Sequence, residues 1–327
     1  MKRVLLGVLV FLAVIAAVIL LVPSLRLTLV GTALTRHLQV GQGDELSVMM
    51  VISGGNEIRP LTEAGLTIPT QNARPESYDL RLALQETVEG TGAEAVVGYR
   101  VSGVRSEQLG TTGGEGLTAN TYRMRVLPTG LVADLALQQG HPSRVLDLAR
   151  FSEVLAAAWP ALPGSLVRPG TTWAGRWDAS LHLPLLKEAP LVLQHRLRYK
   201  LVDFQQERDL QVARIQVSGD IVPAAGGPVG PGLSITGTGR VEGTALIDVA
   251  TGRTVLADDR TAWSVVVRDE GQGLEVVHFA DRKARIWRPR VVPDGQAGFE
   301  ASLPVPAAPS PGPGSPGTAP APPSPAP

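Results

Sequence analysis

The sequence LVLQHRLRYKLVDF, residues 191–204, decides the fold because it carries a sustained two-residue period. Its apolar positions Leu193, Leu197, Tyr199 and Leu201 alternate with the polar positions Gln194, Arg196, Arg198 and Lys200. Successive side chains of a strand point to opposite faces, so this segment has one wet face and one dry face. Such a strand is typical of an antiparallel sheet with one solvated side.

The same alternation recurs along most of the chain. Apolar residues at alternate positions are Tyr78, Leu80, Leu82 and Leu84, then Tyr122, Met124 and Val126, then Trp263, Val265 and Val267, and finally Val277 and Phe279. Thr129-Gly130 and Thr251-Gly252 lie between such segments and supply the glycine that tight hairpin turns need. We therefore predict about eight to twelve strands between Leu38 and Arg290.

One segment has a helical period instead. Between Pro142 and Trp159, the apolar residues Val145, Leu148, Phe151 and Leu155 recur at helical spacing, and a polar stripe consists of Arg144, Asp147, Arg150 and Glu153. Pro142 suits a first helical turn and Pro160 ends the helix. The pattern predicts one long helix at 142–159, packed on the dry face of the sheet.

Together these patterns predict a mainly β (α+β) fold, a curved antiparallel sheet or partial barrel packed on one long helix. The stretches TYRMRVLPTGLVADL (121–135) and GTALIDVATGRTVLADD (243–259) each read as strand, Thr-Gly turn and strand. They indicate either two repeated hairpin modules or a chance similarity between amphipathic hairpins. Trp159, Trp173 and Trp177 gather near the helix exit, and we expect Trp159 and at least one of the others to pack where helix meets sheet.

An apolar run from Val4 to Val22 follows Lys2 and Arg3 and is long enough to cross a bilayer. We interpret residues 1–23 as an uncleaved signal anchor, a transmembrane helix that leaves the rest of the chain outside the bacterial inner membrane. The alternative is a long signal peptide with secretion to the periplasm after cleavage. Its cleavage site, Val22-Pro23-Ser24, places proline beside the scissile bond and fits poorly.

Three zones follow the predicted anchor. Residues 24–37 are predicted to be a juxtamembrane stem, 38–290 the β-rich extracytoplasmic domain and 291–327 a disordered tail rich in Pro, Ala, Ser and Gly. The chain has no cysteine, which excludes disulfides and a lipid-modified cysteine. Its formal net charge is zero, so no overall field attracts nucleic acid.

The segment LVRPGTTWAGRW (166–177), followed later by LIDVATGR (246–253), resembles bacterial envelope families of unknown function. Those families combine an export signal with one β-rich domain and a Val-x-Pro-Gly-x-x-Trp signature. The resemblance implies a curved antiparallel sheet wrapped partly around a helix, as in lipoprotein carriers. It supplies no catalytic residues, and the missing cysteine departs from the usual lipid anchor.

Catalytic motifs of the nucleophile-elbow, Ser-x-x-Lys and phosphate-loop types are absent from the sequence. Gly237 to Gly243 reads as a glycine-rich strand or bulge, because its spacing does not fit a dinucleotide fingerprint. The five histidines, His37, His141, His182, His195 and His278, have no paired spacing that would suit zinc. We predict no catalytic, cofactor-binding or metal-binding residues, and interpret His195 as a hydrogen-bonded histidine at the core margin, with a ligand-facing role as the minority alternative.

Charged neighbours have structural interpretations as well. Asp258-Asp259 and Asp44-Glu45 point to opposite faces of a strand and are interpreted as turn or surface residues rather than acid/base pairs. The basic stretch 281–290 is interpreted as a charged edge strand, with binding of lipid headgroups as the alternative. On that strand Arg282, Ile286 and Arg288 share one face.

These observations predict a membrane-anchored, non-enzymatic envelope protein that binds an apolar ligand or a protein partner. A structural or assembly factor that uses the Pro-rich tail is the alternative, and an unrecognised hydrolase is a minor one. The expected partners are the membrane, through residues 4–22, and a lipid or envelope protein. An apolar-ligand site would need a cavity of about 300–1,000 Å³ on the concave face.

Overall fold

The structure is a computed structural model of the 327-residue chain. It describes residues 27–28, 31–60, 76–106, 117–118, 120–127, 129, 132–141, 148–181, 186, 190–224, 227–230 and 232–292. The predicted anchor at 4–22 and almost all of the predicted tail lie outside these residues. Within the described ranges, no helix has the length and apolar character needed to cross a membrane.

Fourteen strands and one helix are assigned in the described part of the chain. The strands are β1 (Thr32–Ala33), β2 (Gly43–Pro60), β3 (Glu76–Gly90), β4 (Ala95–Arg105), β5 (Thr121–Val126), β6 (Val132–Gln139), β7 (Leu166–Val167), β8 (Thr172–Leu181), β9 (Leu191–Glu207), β10 (Leu210–Pro223), β11 (Gly227–Gly230), β12 (Leu233–Asp248), β13 (Thr254–Asp269) and β14 (Leu274–Trp287). The helix α1 spans Leu148–Ala158. The prediction of a mainly β protein with an antiparallel sheet is confirmed.

Twelve strands form one nearly closed antiparallel sheet in the order β6-β5-β4-β3-β2-β14-β13-β12-β10-β9-β8, with β11 paired to β12. Neighbours in the sheet are neighbours in sequence, except where β14 pairs with β2 and where β10 pairs with β12 past the short strand β11. This pairing joins the last strand to the first long strand and brings the two ends of the meander together. The helix α1 packs against β6 and β8, the two edges of the sheet, and against β13 and β14.

The core lies between α1 and the inner face of the sheet. Its members alternate along each strand, as the two-residue period predicts. The most buried of them include Leu46, Met50, Ile52, Leu80, Leu84, Tyr99, Met124, Phe151, Leu155, Leu201 and Ile215. Because the aromatic content is only 4 %, aliphatic side chains supply most of this core.

Glycines on the inner face of β12 permit a close approach to β13. A Cβ atom at Gly239 would lie 2.5 Å from Cβ of Trp263 and 2.6 Å from the Ala262 oxygen. A Cβ atom at Gly243 would be equally close to the Asp258 oxygen. Larger residues would push the strands apart, so these positions require glycine. The interpretation of 237–243 as a glycine-rich strand is confirmed.

The structure describes only part of the predicted helix. The described part covers 11 residues, Leu148–Ala158, and the predicted start at 142–147 lies outside the described residues. Phe151, Val154 and Leu155 are fully buried against the sheet. The predicted polar stripe is wrong at Glu153, which is only 6 % exposed and faces the sheet because α1 is enclosed between both sheet edges.

Both segments of the predicted repeat are hairpins. The first pairs β5 with β6 at one edge of the sheet, and the second pairs β12 with β13 in its interior. The second turn contains Gly252 at φ +69°, where a Cβ atom would overlap the Thr35 oxygen. Gly130 of the first turn lies outside the described residues. The duplication itself stays a prediction.

Residues just before the β-rich domain pack onto it. Leu34 is fully buried, and β1 pairs with β7. Arg36 donates to the carbonyl oxygens of Gly252 and Pro160 at 2.8 and 2.6 Å, and its guanidinium lies 4.6 Å from the Trp159 ring centroid. The segment predicted as a stem is therefore attached to the domain between residues 31 and 37.

Candidate functional site

The helix and the inner face of the sheet enclose a small cavity. Ala156 and Ala157 line it from α1, and its sheet side includes Leu197, Val217 and Val241. The cavity has a volume of about 30 Å³, which holds one or two water-sized groups. It is much smaller than the 300–1,000 Å³ expected for an apolar-ligand site, because α1 fills most of the concave face.

Four ionisable side chains form one wall of the cavity. This His195 cluster consists of Glu153 on α1, His195 on β9, Asp259 on β13 and Arg282 on β14. Arg282 Nη2 donates to Oδ2 of Asp259 at 2.5 Å, and Arg282 Nε lies 3.5 Å from Oε2 of Glu153. His195 Nε2 lies 3.9 Å from Oε1 of Glu153, too far for a hydrogen bond.

Several polar atoms of this cluster have no hydrogen-bond partner of normal geometry among the described residues. They are both ring nitrogens of His195, Oδ1 of Asp259, and Nε and Nη1 of Arg282. The His195 ring is buried, as expected, and it interacts with the backbone of Leu193, but neither ring nitrogen reaches a side-chain partner at hydrogen-bond distance. Buried polar groups in native proteins are nearly always paired, so the cluster departs from the usual pattern.

Burial keeps the His195 ring neutral. The pKa of His195 is lowered from 6.5 to about 3, mainly by loss of solvation; the Leu193 backbone and the Asp178 charge oppose this change, and the Arg282 charge adds to it. The ring stacks on Trp177, with centroids 4.0 Å apart and planes 22° from parallel. A neutral imidazole offers one donor and one acceptor to the cavity.

The neighbouring carboxylates Asp258 and Asp259 behave differently. Burial raises the pKa of Asp259, although its ion pair with Arg282 works against this change. Asp258 pairs with Arg285, and the distance between Arg285 Nε and Asp258 Oδ1 is 3.0 Å. The surface interpretation is wrong for Asp259, because its strand face is the inner one.

A second buried charged cluster joins the two halves of the sheet. This Glu86 cluster consists of Asp44 on β2, Glu86 on β3, and Arg253 and Arg288, which flank β13 and β14. Glu86 Oε2 accepts hydrogen bonds from Tyr99 at 2.9 Å and from Arg288 at 3.3 Å, and Oε1 accepts one from Arg253.

The Glu86 cluster is also bonded to its surroundings. Arg288 Nη1 donates to Asp44 Oδ2 at 3.0 Å and Arg288 Nε donates to the Thr254 oxygen at 2.7 Å. Burial alone would raise the pKa of Glu86, but the charges of Arg288 and Arg253 hold it below its usual value. These contacts join β2 and β3 to β13 and β14.

The tryptophan prediction is confirmed. Trp159 and Trp177 are buried, and Trp173 packs partly buried against the core. Trp159 Nε1 donates to the Tyr99 hydroxyl at 2.5 Å, which connects the helix exit to β4. Trp173 Nε1 donates to the Ala161 oxygen at 2.8 Å.

The basic stretch 281–290 is not an edge strand. Most of it belongs to β14, which lies between β13 and β2. Arg282 and Arg288 share the inner face with Ile286, as predicted, but both are buried in ion pairs rather than presented to lipid. Local alternation could not reveal this, because the pairing of β14 with β2 connects opposite ends of the domain. The surface interpretation is also wrong for Asp44, which belongs to the Glu86 cluster.

The remaining histidines show no common site. His278 Nδ1 lies 2.5 Å from Oδ1 of Asn56, and His37 Nε2 lies 2.9 Å from the Thr35 hydroxyl. His182 lies outside the described residues. Within the part of the chain that the structure describes, no group of three or more His, Asp or Glu side chains is arranged to hold a metal ion.

A larger depression lies on the outer face of β3, β4, β5 and β6. Its volume is about 640 Å³ and it opens widely to solvent. Its lining includes Gln85, Thr87, Arg100 and the ion pair of Arg123 with Glu89, whose Nε and Oε2 are 3.0 Å apart. This polar surface does not suit an apolar ligand.

Sequence reasoning missed the His195 cluster as a unit. Its members come from four elements, and only the pairing of β9 through β14 brings them together. One signal was available, since His195 lies in register with Leu193 and Leu197 on a dry face. Comparison with protein-family models and with curated proteins finds no match to this chain. The resemblance to envelope families therefore stays an expectation.

Proposed function

We propose that this chain is a membrane-anchored protein of the bacterial envelope that binds an amphiphilic ligand and catalyses no reaction. The ligand site is the cleft between α1 and strands β8 to β14. One observation carries the proposal, namely an apolar cavity with a wall of buried polar atoms that lack partners. A purely structural core would place apolar groups or paired polar groups at such positions.

The side of the cleft formed by α1 is suited to displacement. Ala156 and Ala157 are only half-buried and contribute little volume where they meet the sheet. An apolar chain that entered beside them would replace few contacts of α1. Because the cavity of about 30 Å³ cannot enclose such a chain, binding requires α1 to move away from β9, β10 and β12.

The position of the cleft relative to the predicted anchor also supports the proposal. Only four residues separate the apolar run, which ends at Val22, from Leu27, which packs against the core. Arg36 then donates to the oxygen of Pro160, a residue that lines the cavity. If residues 4–22 cross the inner membrane, the domain is held close to the outer leaflet, from which amphiphiles can enter the cleft.

Photolabelling of the full chain in phosphatidylcholine nanodiscs tests this function. The probe is hexadecanol that carries a diazirine, and labelled peptides are identified by mass spectrometry. We expect labels in two places, residues 4–22 and the peptides that contain α1 and β9. Labelling of 4–22 reports membrane insertion and serves as the internal standard for the amount of probe.

Two matched substitutions separate cleft binding from general contact with lipid. Ala157→Trp places a large ring where an entering chain would pass between α1 and the sheet, and should reduce labelling of α1 and β9 by about tenfold relative to 4–22. Ala174→Trp adds the same ring at an exposed position of β8 and should leave the ratio unchanged. Equal labelling in both variants, or no label outside 4–22, contradicts the proposed function.

A further inference from the structure

We infer that the polar end of this cleft recognises an uncharged hydroxyl group, so that the ligand is a long-chain alcohol or another lipid with a small hydroxyl head. This inference rests on the proposed function, because it assigns the head of the ligand that the cleft binds. It follows from three observations, which are the free donors and acceptors of the His195 cluster, the volume of the cavity and the charges around it.

The atoms without partners include both donors and acceptors. Arg282 Nε and Nη1 can only donate, and Asp259 Oδ1 accepts when it is ionised. Neutral His195 has one nitrogen of each kind. A hydroxyl group both donates and accepts, so it can bond to Arg282 and to Asp259 or His195 at once. A sulfonate or phosphate only accepts, and an ammonium only donates.

The volume favours the same head. About 30 Å³ accommodates one or two non-hydrogen atoms beyond the surrounding side chains. A hydroxyl or hydroxymethyl group matches this size. A phosphate, with four oxygens around phosphorus, does not fit without displacement of Trp177 or His195, which stack on each other at the cavity wall.

The charges around the cavity disfavour an anionic head. An anion would lie beside the carboxylates of Glu153 and Asp259, and both side chains are less than one tenth exposed. A cation would lie beside Arg282, whose side chain is 3 % exposed. Charge repulsion is strong where water is excluded, so a neutral head is favoured over an anion. A cation is disfavoured because it cannot accept a hydrogen bond from the Arg282 donors.

Competition in the same nanodiscs tests the inference. The full chain is labelled with the diazirine hexadecanol in the presence of a tenfold excess of hexadecanol, hexadecanesulfonate or hexadecylammonium. All three competitors have the same chain length and differ only in the head. We expect hexadecanol to reduce labelling of α1 and β9 by about tenfold, and the two ions to reduce it less than twofold. Labelling of 4–22 corrects for the amount of each competitor in the bilayer.

The outcomes separate the two proposals. If hexadecanesulfonate or hexadecylammonium competes as well as hexadecanol, the cleft binds chains without regard to the hydroxyl and the inference is overturned. If hexadecanol does not compete, or Ala157→Trp does not reduce labelling, the proposed function fails. His195→Phe should make hexadecanol a several-fold weaker competitor, whereas His278→Phe, which alters a histidine outside the cavity lining, should not. Equal effects of the two substitutions also overturn the inference.

Discussion

Two buried charged clusters, built from the same residue types, lie on the inner face of one sheet. In the Glu86 cluster, two carboxylates face two guanidiniums, and each carboxylate contacts both of them. In the His195 cluster, two carboxylates share one guanidinium and a neutral imidazole. The first cluster is balanced in charge and leaves one polar atom, Arg253 Nε, without a hydrogen-bond partner among the described residues, whereas the second leaves five such atoms around a cavity.

The pairing of the polar atoms distinguishes a cluster that stabilises the fold from one that is suited to bind a ligand. A buried charge is tolerated when it is paired and hydrogen-bonded, and removal of one partner then destabilises the fold. A buried polar atom without a partner makes no bond in the folded state, so its removal forfeits none. The Glu86 cluster therefore holds the two ends of the meander together, and the His195 cluster supports the proposed ligand site at the expense of stability.

The largest expected effect is at Glu86. Glu86→Gln keeps the shape but removes the charge, which leaves Arg253 and Arg288 facing only Asp44 inside the protein. We expect a loss of about 3–5 kcal/mol in the free energy of unfolding. The measurement is urea unfolding of the full chain in dodecyl maltoside, followed by tryptophan fluorescence.

Glu45→Gln is the matched control, because the Glu45 side chain is exposed on β2. It should change the free energy of unfolding by less than about 0.5 kcal/mol. If Glu86→Gln is tolerated as well as Glu45→Gln, the Glu86 cluster does not hold the sheet together and the comparison fails.

The two clusters also mark the limit of sequence reasoning. Alternation along 191–204 was enough to place Leu193, Leu197 and Tyr199 on the inner face, because side-chain direction in a strand is local. It could not pair Glu86 with Arg253, which are 167 residues apart, because the match of β14 to β2 depends on how the whole sheet curls. The helical period places Glu153 in a solvent-exposed polar stripe, because the period of a helix does not reveal which other elements surround it.

The second prediction concerns pH and the His195 cluster. In the folded chain the pKa of His195 is about 3, whereas an unfolded histidine titrates near 6.5. Between these values the unfolded state binds a proton that the folded state does not. Stability therefore falls as pH falls from about 6.5 towards 3, by about 2 kcal/mol between pH 7 and pH 5 from this residue alone.

Comparison with His195→Phe isolates this contribution. Asp259, whose pKa is raised by burial, acts in the opposite sense, but it is present in both chains. From pH 7 to pH 5, the free energy of unfolding should therefore fall by about 2 kcal/mol less in His195→Phe than in the parent chain. Parallel pH profiles for the two chains would show that His195 is not buried as a neutral base.

The smallest expected effect is His195→Phe at pH 7.5. Phenylalanine keeps the stacking on Trp177 and loses only the interaction of the ring with the Leu193 backbone, since neither ring nitrogen of His195 has a side-chain hydrogen-bond partner among the described residues. Removal of unpaired polar atoms from an apolar site should leave the stability within about 1 kcal/mol of the parent, on the stabilising side. His278→Phe makes the same change where Nδ1 is bonded to Asn56, so it should cost about 1 kcal/mol more. Urea unfolding of both variants under the same conditions measures the difference. A loss of 2 kcal/mol or more in His195→Phe would mean that the imidazole is bonded after all, and the distinction between a structural and a binding cluster would disappear.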